Sequence, residues 1–178
     1  MFKHLHLTRL QWLGILKWFL YGLLTLTVLL LQSVVLSQLP VFGAKLAPLP
    51  ILIVCVCIRE GPEKGGVYAI LATLFWCLSG SDFGNVSVAI VPVGAILSAV
   101  LCRAVLTMRL LPVALCCLAV SLANESAIFL FKFILPPSVA LSNYWRVLLP
   151  TVALSMLFLP IHYALVKRIG RIGVQDDL

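Results

Sequence analysis

Six cysteines, Cys55, Cys57, Cys77, Cys102, Cys116 and Cys117, are the residues of this chain most able in principle to hold a metal or form cross-links. All fall within or at the edge of apolar stretches. Cys55 and Cys57 point to different faces of a helix, and none of the three histidines, His4, His6 and His162, lies near any of them. Neither a metal set nor a disulfide framework reads from that spacing, so the thiols are expected to act as small apolar fillers. Hydrolysis needs a nucleophile and its base within about 3 Å. The best nucleophiles, Ser79 and Ser81 beside Asp82, are placed at the opposite side of a roughly 30 Å bilayer from His162, His4 and His6, so no triad assembles. The chain has no phosphate loop, no zinc-protease helix and no dinucleotide glycine pattern. The expectation is a protein without a catalytic, cofactor or metal site.

Glu125 is the one acidic residue deep in an apolar stretch, about midway along residues 110–135. A carboxyl group at that depth is costly, and where one persists it marks a function or a polar contact. At helical spacing Ser121, Glu125 and Lys132 share a stripe, with Ala119, Ala123 and Ala127 recurring every four residues beside it. That period admits a second helix at close range, so the stripe is expected to face a helix. Three roles stay open for Glu125: a protonated packing group, a contact with a partner's helix, or part of a ligand site. Two turns add to this. Arg59 to Gly65 reads Arg-Glu-Gly-Pro-Glu-Lys-Gly, where Pro62 fixes φ while Gly61 and Gly65 admit positive φ. Ser79, Gly80, Asp82 and Gly84 form the second turn, before the next long apolar run.

The elements that position these residues follow from composition. The 178 residues are 62% hydrophobic and 11% charged, with mean hydropathy +1.14 and net charge +7. A soluble domain carries about a quarter charged residues, so this is an integral membrane protein. Its cations are scattered singly, which excludes nucleic acid as a partner and makes the charge a report on topology. Residues 19–39, 86–106, 110–135 and 145–166 are each long enough to cross a core of about 30 Å. Between the first two lie apolar halves 46–58 and 66–78, each only about 20 Å as a helix, flanking the charged turn. A re-entrant hairpin would leave four charges near the midplane at about 2.5–3.5 kcal/mol for each, so two short spans are the cheaper solution. The expected fold is therefore an all-α integral membrane protein of six transmembrane helices, two of them short, with both termini cytoplasmic. On that reading only Lys45, Lys132 and Arg146 lie outside among the thirteen Lys and Arg residues. Residues 1–17 are expected to lie along the inner surface with Trp12 and Trp18 at headgroup depth, residues 18–169 to form one membrane domain, and residues 170–178 a short tail. Tyr144 and Trp145 mark the outer aromatic belt, and Tyr163 beside Lys167 and Arg168 the inner one.

The order of these features resembles the bacterial rod shape-determining MreD family. That family has a long first helix, a proline opening a short apolar helix, a basic-glycine turn, a short glycine-rich helix, a turn of the type D-x-x-S-G-x-x-x-G, and an acidic residue in the fifth helix. The counterparts here are Pro48 or Pro50, Arg59 through Gly65, Ser79-Gly80 with Gly84, and Glu125, over residues 44–100 and around residue 125. The chain departs from the pattern at Trp76, where the family places an acid; the nearest carboxylate is Asp82. The resemblance implies a non-enzymatic scaffold of the cell-elongation complex in the bacterial inner membrane, binding MreC and through it MreB, RodA and a class B penicillin-binding protein. It also implies that Arg59, Gly61, Gly65, Ser79, Gly80, Asp82, Gly84 and Glu125 serve as turns or partner contacts. An alternative is a substrate-binding component of an energy-coupling-factor vitamin transporter, a group similar in fold to MreD. Those proteins carry Ala-x-x-x-Ala in the first helix, whereas residues 19–39 contain no alanine; the polar candidates for a vitamin site are Gln32, Ser37, Gln38, Asp82, Asn85 and Asn143.

Overall fold

A computed structural model describes residues 9–35, 46–79, 86–104, 110–134 and 144–172. The described residues are helical, with no strand among them. Helix α1, Arg9–Leu30, continues into a π-helical turn, Leu31–Val35; then follow α2 (Leu49–Glu60), α3 (Pro62–Leu78), α4 (Ser87–Ala104), α5 (Leu110–Ile134), α6 (Tyr144–Met156) and α7 (Leu159–Ile169). Three stretches are long and apolar enough to cross a membrane, Gln11–Val34, Ser87–Ala104 and Leu110–Phe131. Leu148–Met156 and Leu159–Ile169 supply a fourth when taken together as one span bent by 40°. The bend has a local cause. Pro160 has no amide hydrogen to donate and its ring excludes the carbonyl four residues back, so the helix stops at Met156 and restarts with Pro160 in its first turn. Two short helices are present where 46–58 and 66–78 are expected, at 12 and 17 residues. However, α2 runs to Glu60 and α3 begins at Pro62, so Glu63, Lys64 and Gly65, expected in the turn, are helical, and Gly61 alone between the helices takes positive φ.

Helix α2 is the centre of the bundle. Its sequence, LPILIVCVCIRE, is apolar on every side, and all ten residues Leu49–Ile58 are buried. A helix with no polar face must be surrounded, and α2 packs against α1, α3, α4, α5 and α7. Its neighbours present small residues to it. The inner face of α3 carries Gly65, Ala69 and Ala72, and that of α4 carries Ala95 and Ala99. A Cβ at Gly65 would stand 2.6 Å from Cys57 Cα, so glycine sets the distance between α2 and α3. The outer faces are the reverse: Val67, Leu71, Leu74 and Leu78 on α3 and Val93, Leu97, Val100 and Leu101 on α4 are exposed. So large an apolar exterior requires lipid or other helices to cover it.

Helix α2 is about 18 Å long at 1.5 Å per residue. Just before it begins, the Ala47 amide donates to Ser155 Oγ (3.2 Å), which itself donates to the Thr151 carbonyl (2.7 Å). The start of α2 is therefore level with the end of α6, and α7 runs beside α2 from there to the Glu60 end.

Candidate functional site

The buried face of α1 carries Tyr21, Thr25 and Val28, continued by Gln32 in the π-helical turn, and Lys17 precedes them at the same spacing. Steps of three and four residues put these side chains in one row along the helix. Where the row meets the C-terminal end of α2, it builds a polar node. Lys17 Nζ lies 2.6 Å from Glu60 Oε2, and the Tyr21 hydroxyl donates to Glu60 Oε1 at 2.8 Å. From α4, Arg103 Nη2 donates to the Glu60 backbone carbonyl at 3.1 Å. One turn further along α1, Thr25 Oγ1 donates to the Tyr21 carbonyl (2.8 Å) and is hydrogen-bonded by the Tyr68 hydroxyl of α3. The rings of Trp18, Tyr21 and Tyr68 pack together beside it, with centroids 5.7–6.3 Å apart. Glu60 thus ties α1, α2 and α4 together, and the Thr25–Tyr68 pair adds α3.

The electrostatics explain why this node sits where it does. The side chains of Lys17 and Glu60 are only 18% and 7% exposed, so each charge depends on the other for solvation. The last turns of α2, α4 and α7 carry Arg59, Arg103, and Lys167 with Arg168. Cations there meet the negative ends of three helix dipoles. Arg59 packs on Gly170, and with Tyr163 and Lys167 it lines a small cleft of ≈ 90 Å³. Lys17, Arg59, Arg103 and Lys167 therefore gather at one end of the bundle.

Gly61 makes the node possible. It adopts φ +95° between α2 and α3, and the Arg103 guanidinium occupies the place a Cβ would take. With ψ at 169° this is extended positive-φ backbone that is essentially reserved for glycine and costs another residue about 1–3 kcal/mol, and a methyl group would also push Arg103 from the Glu60 carbonyl. Gly61→Ala should therefore lower the melting temperature of the detergent-solubilised protein, and Arg103→Ala in that background should cost less than it does in the wild type. Strict additivity of the two would refute the coupling.

The sequence-based candidates distribute unevenly around this node. Arg59 and Gly61 are part of it or adjoin it, and Gly65 forms the α2–α3 contact. Ser79 ends α3, its hydroxyl donating to the Trp76 carbonyl at 2.7 Å. Gly80, Asp82 and Gly84 lie outside the described residues. Glu125 is half-buried on α5, beside the fully buried Asn124. Of the alanines expected to face a helix, Ala119 and Ala123 are exposed on the outside of α5 and Ala127 is half-buried, because the inward row is Val113, Cys117, Val120 and Asn124. Among the described residues no helix covers Ala119 and Ala123. The cysteines are free thiols, five of them buried, with Cys55 and Cys117 sulfurs 3.9 Å apart and those of Cys102 and Cys116 3.8 Å apart. Trp76, at the position of the family's acid, is buried in the core. Glu60, expected as a turn charge in water, is instead a buried anchor, and its signal in the sequence is the row Lys17, Tyr21, Thr25 at intervals of four.

A second feature adjoins the node. Helices α1 and α3 diverge to leave a groove of ≈ 870 Å³, lined by Trp18, Gly22, Leu26, Lys64, Leu71 and Phe75 among others. Compared with known proteins, the chain matches no family model, no curated protein and no solved structure.

Proposed function

We propose that the chain is a scaffold subunit of the bacterial cell-elongation complex, of the MreD type, seated in the inner membrane with the Glu60 end of its bundle toward the cytoplasm. In this reading it binds MreC, and through MreC it positions MreB, RodA and a class B penicillin-binding protein. The observation that carries the reading is the undersized helix α2, buried on all sides and hairpinned through Gly61 to α3 between long apolar helices. Such a body has a rigid interior and an apolar exterior, and its working surfaces are the outer faces of its helices and the turns. The gathering of Lys17, Arg59, Arg103 and Lys167 at one end supports the orientation, since cytoplasmic loops collect cations. Glu125, at the edge of the α5 exterior beside exposed Ala119 and Ala123, is the side chain chosen for a partner contact.

Affinity purification from mild detergent tests this. The tagged chain should retain a one-span protein with a large outer coiled-coil and β domain, and Glu125→Gln should retain less of it. Loss of that partner under conditions that preserve other membrane complexes would overturn the scaffold reading. A vitamin-binding component would instead show a raised melting temperature with thiamine, riboflavin or biotin, because a ligand of the folded state stabilises it by mass action. Of the residues suited to such a site, Gln32 is buried in the π-helical turn, while Ser37, Gln38, Asp82, Asn85 and Asn143 lie outside the described residues.

A further inference from the structure

The groove between α1 and α3 has a composition that selects its occupant. On α3 its wall runs from Lys64 to Phe75, and on α1 from Trp18 to Leu26. Eleven rises of 1.5 Å between Lys64 and Phe75 make the longer wall about 16 Å, roughly half of a bilayer core of about 30 Å. It is thus as long as the acyl region of a single leaflet. Its volume lies within the range of ligand sites, about 300–1,000 Å³. Lys64, exposed at one end, is the one charged residue among those that line it. Lys17 nearby is already paired with Glu60.

The floor is equally specific. Thr25 and Tyr68 bond to each other, and Thr25 to the Tyr21 carbonyl, so the hydroxyls at the base already have partners and an occupant needs no polar groups there. Gly22 supplies depth: nothing lies within 4 Å of where its Cβ would be. We infer that this groove binds an anionic diacyl phospholipid from the leaflet on the Lys64 side, its phosphate against the Lys64 ammonium and its acyl chains along Gly22, Leu26, Leu71 and Phe75. A polar metabolite would find satisfied hydroxyls and an apolar wall. The single cation at the surface end matches a headgroup in charge and in depth. The site depends on the chain lying in a membrane and not on the identity of its protein partners.

Native mass spectrometry of the full chain, released from bilayers of equal parts phosphatidylglycerol and phosphatidylcholine, tests the assignment. The wild type should retain one phosphatidylglycerol with a preference of about fivefold, the ratio given by about 1 kcal/mol for one lysine near anionic lipid. Gly22→Phe fills open space, so it should lose the retained lipid while keeping its melting temperature in lipid-free detergent. Lys64→Gln should keep a lipid and lose the preference. Retention of the two lipids by the wild type in their bulk ratio, an unchanged preference in Lys64→Gln, or undiminished lipid in Gly22→Phe would each overturn the proposal. So would displacement of the lipid by a co-purifying protein whose crosslinks map to Leu71 or Phe75, which would assign the groove to a partner's helix.

Discussion

Replacing Glu60 by Leu should destabilise the fold by about 3–5 kcal/mol, the range for removing one member of a buried ion pair. The cause is less the lost attraction than the ammonium of Lys17, left in apolar surroundings with the Tyr21 hydroxyl also deprived of its acceptor. Tyr21→Phe should cost less, about 1.5–3 kcal/mol, because it removes one hydrogen bond to a charged group and strands no charge. The pair Lys17→Met with Glu60→Leu should recover much of the loss, since well-packed apolar replacements of a buried pair are often neutral or stabilising. Equilibrium unfolding in mixed micelles reads all four proteins on one scale. If the double variant is no more stable than Glu60→Leu alone, Lys17 does not depend on Glu60.

Gly65→Val should be the most damaging single change on α3. The new Cβ would stand 2.6 Å from Cys57 Cα and 2.9 Å from its carbonyl oxygen, and backbone atoms cannot rotate aside as a side chain can. Helix α3 must then move away from α2 along its length, disturbing Ala69 and Ala72 as well. Overpacking in cores costs about 1–3 kcal/mol when side chains can adjust, so the expected loss lies at or above the top of that range. Gly22→Ala is the matched control, with a helical glycine of the same type and open space at its Cβ. There the gain from relieving glycine's backbone freedom, about 0.5–1 kcal/mol, should appear as a small stabilisation. Melting curves of the two variants should therefore shift in opposite directions, and a shared direction would count against Gly65 as the spacer.

Much of this architecture was legible in the residues, and the exceptions are instructive. Three of the long apolar windows reappear near their expected bounds as α4, α5 and the bent α6–α7 pair because span length is a property of local composition. The first, expected over 19–39, is instead a stretch of 11–34 in a helix that begins at Arg9, inside the segment expected along the membrane surface. The short pair on either side of Pro62 was visible for the same reason. Residues 145–166 read as one continuous window, yet the helix breaks before Pro160, while Pro92 inside α4 leaves that helix intact. The node at Glu60 escaped notice because a charge next to Gly-Pro looks like a solvated turn. Only the meeting of α1 with the end of α2 turns it into a buried anchor, and such long-range placement leaves no trace in a short window. The alanines of α5 stand on an outward stripe, where the helix that a small-residue period admits would have to come from a second chain.

The half-length of α2 bears on how the protein is made. Twelve residues are too few to be recognised on their own as a crossing by the insertion machinery, which responds to about twenty. An isolated α2 in hydrocarbon would also leave its terminal amides and carbonyls bare. Its burial is complete only when α1, α3, α4, α5 and α7 surround it. Biogenesis of this chain is then not strictly sequential: the segment synthesised second is among the last to settle, and α4, α5 and α7, though translated after it, complete its lining.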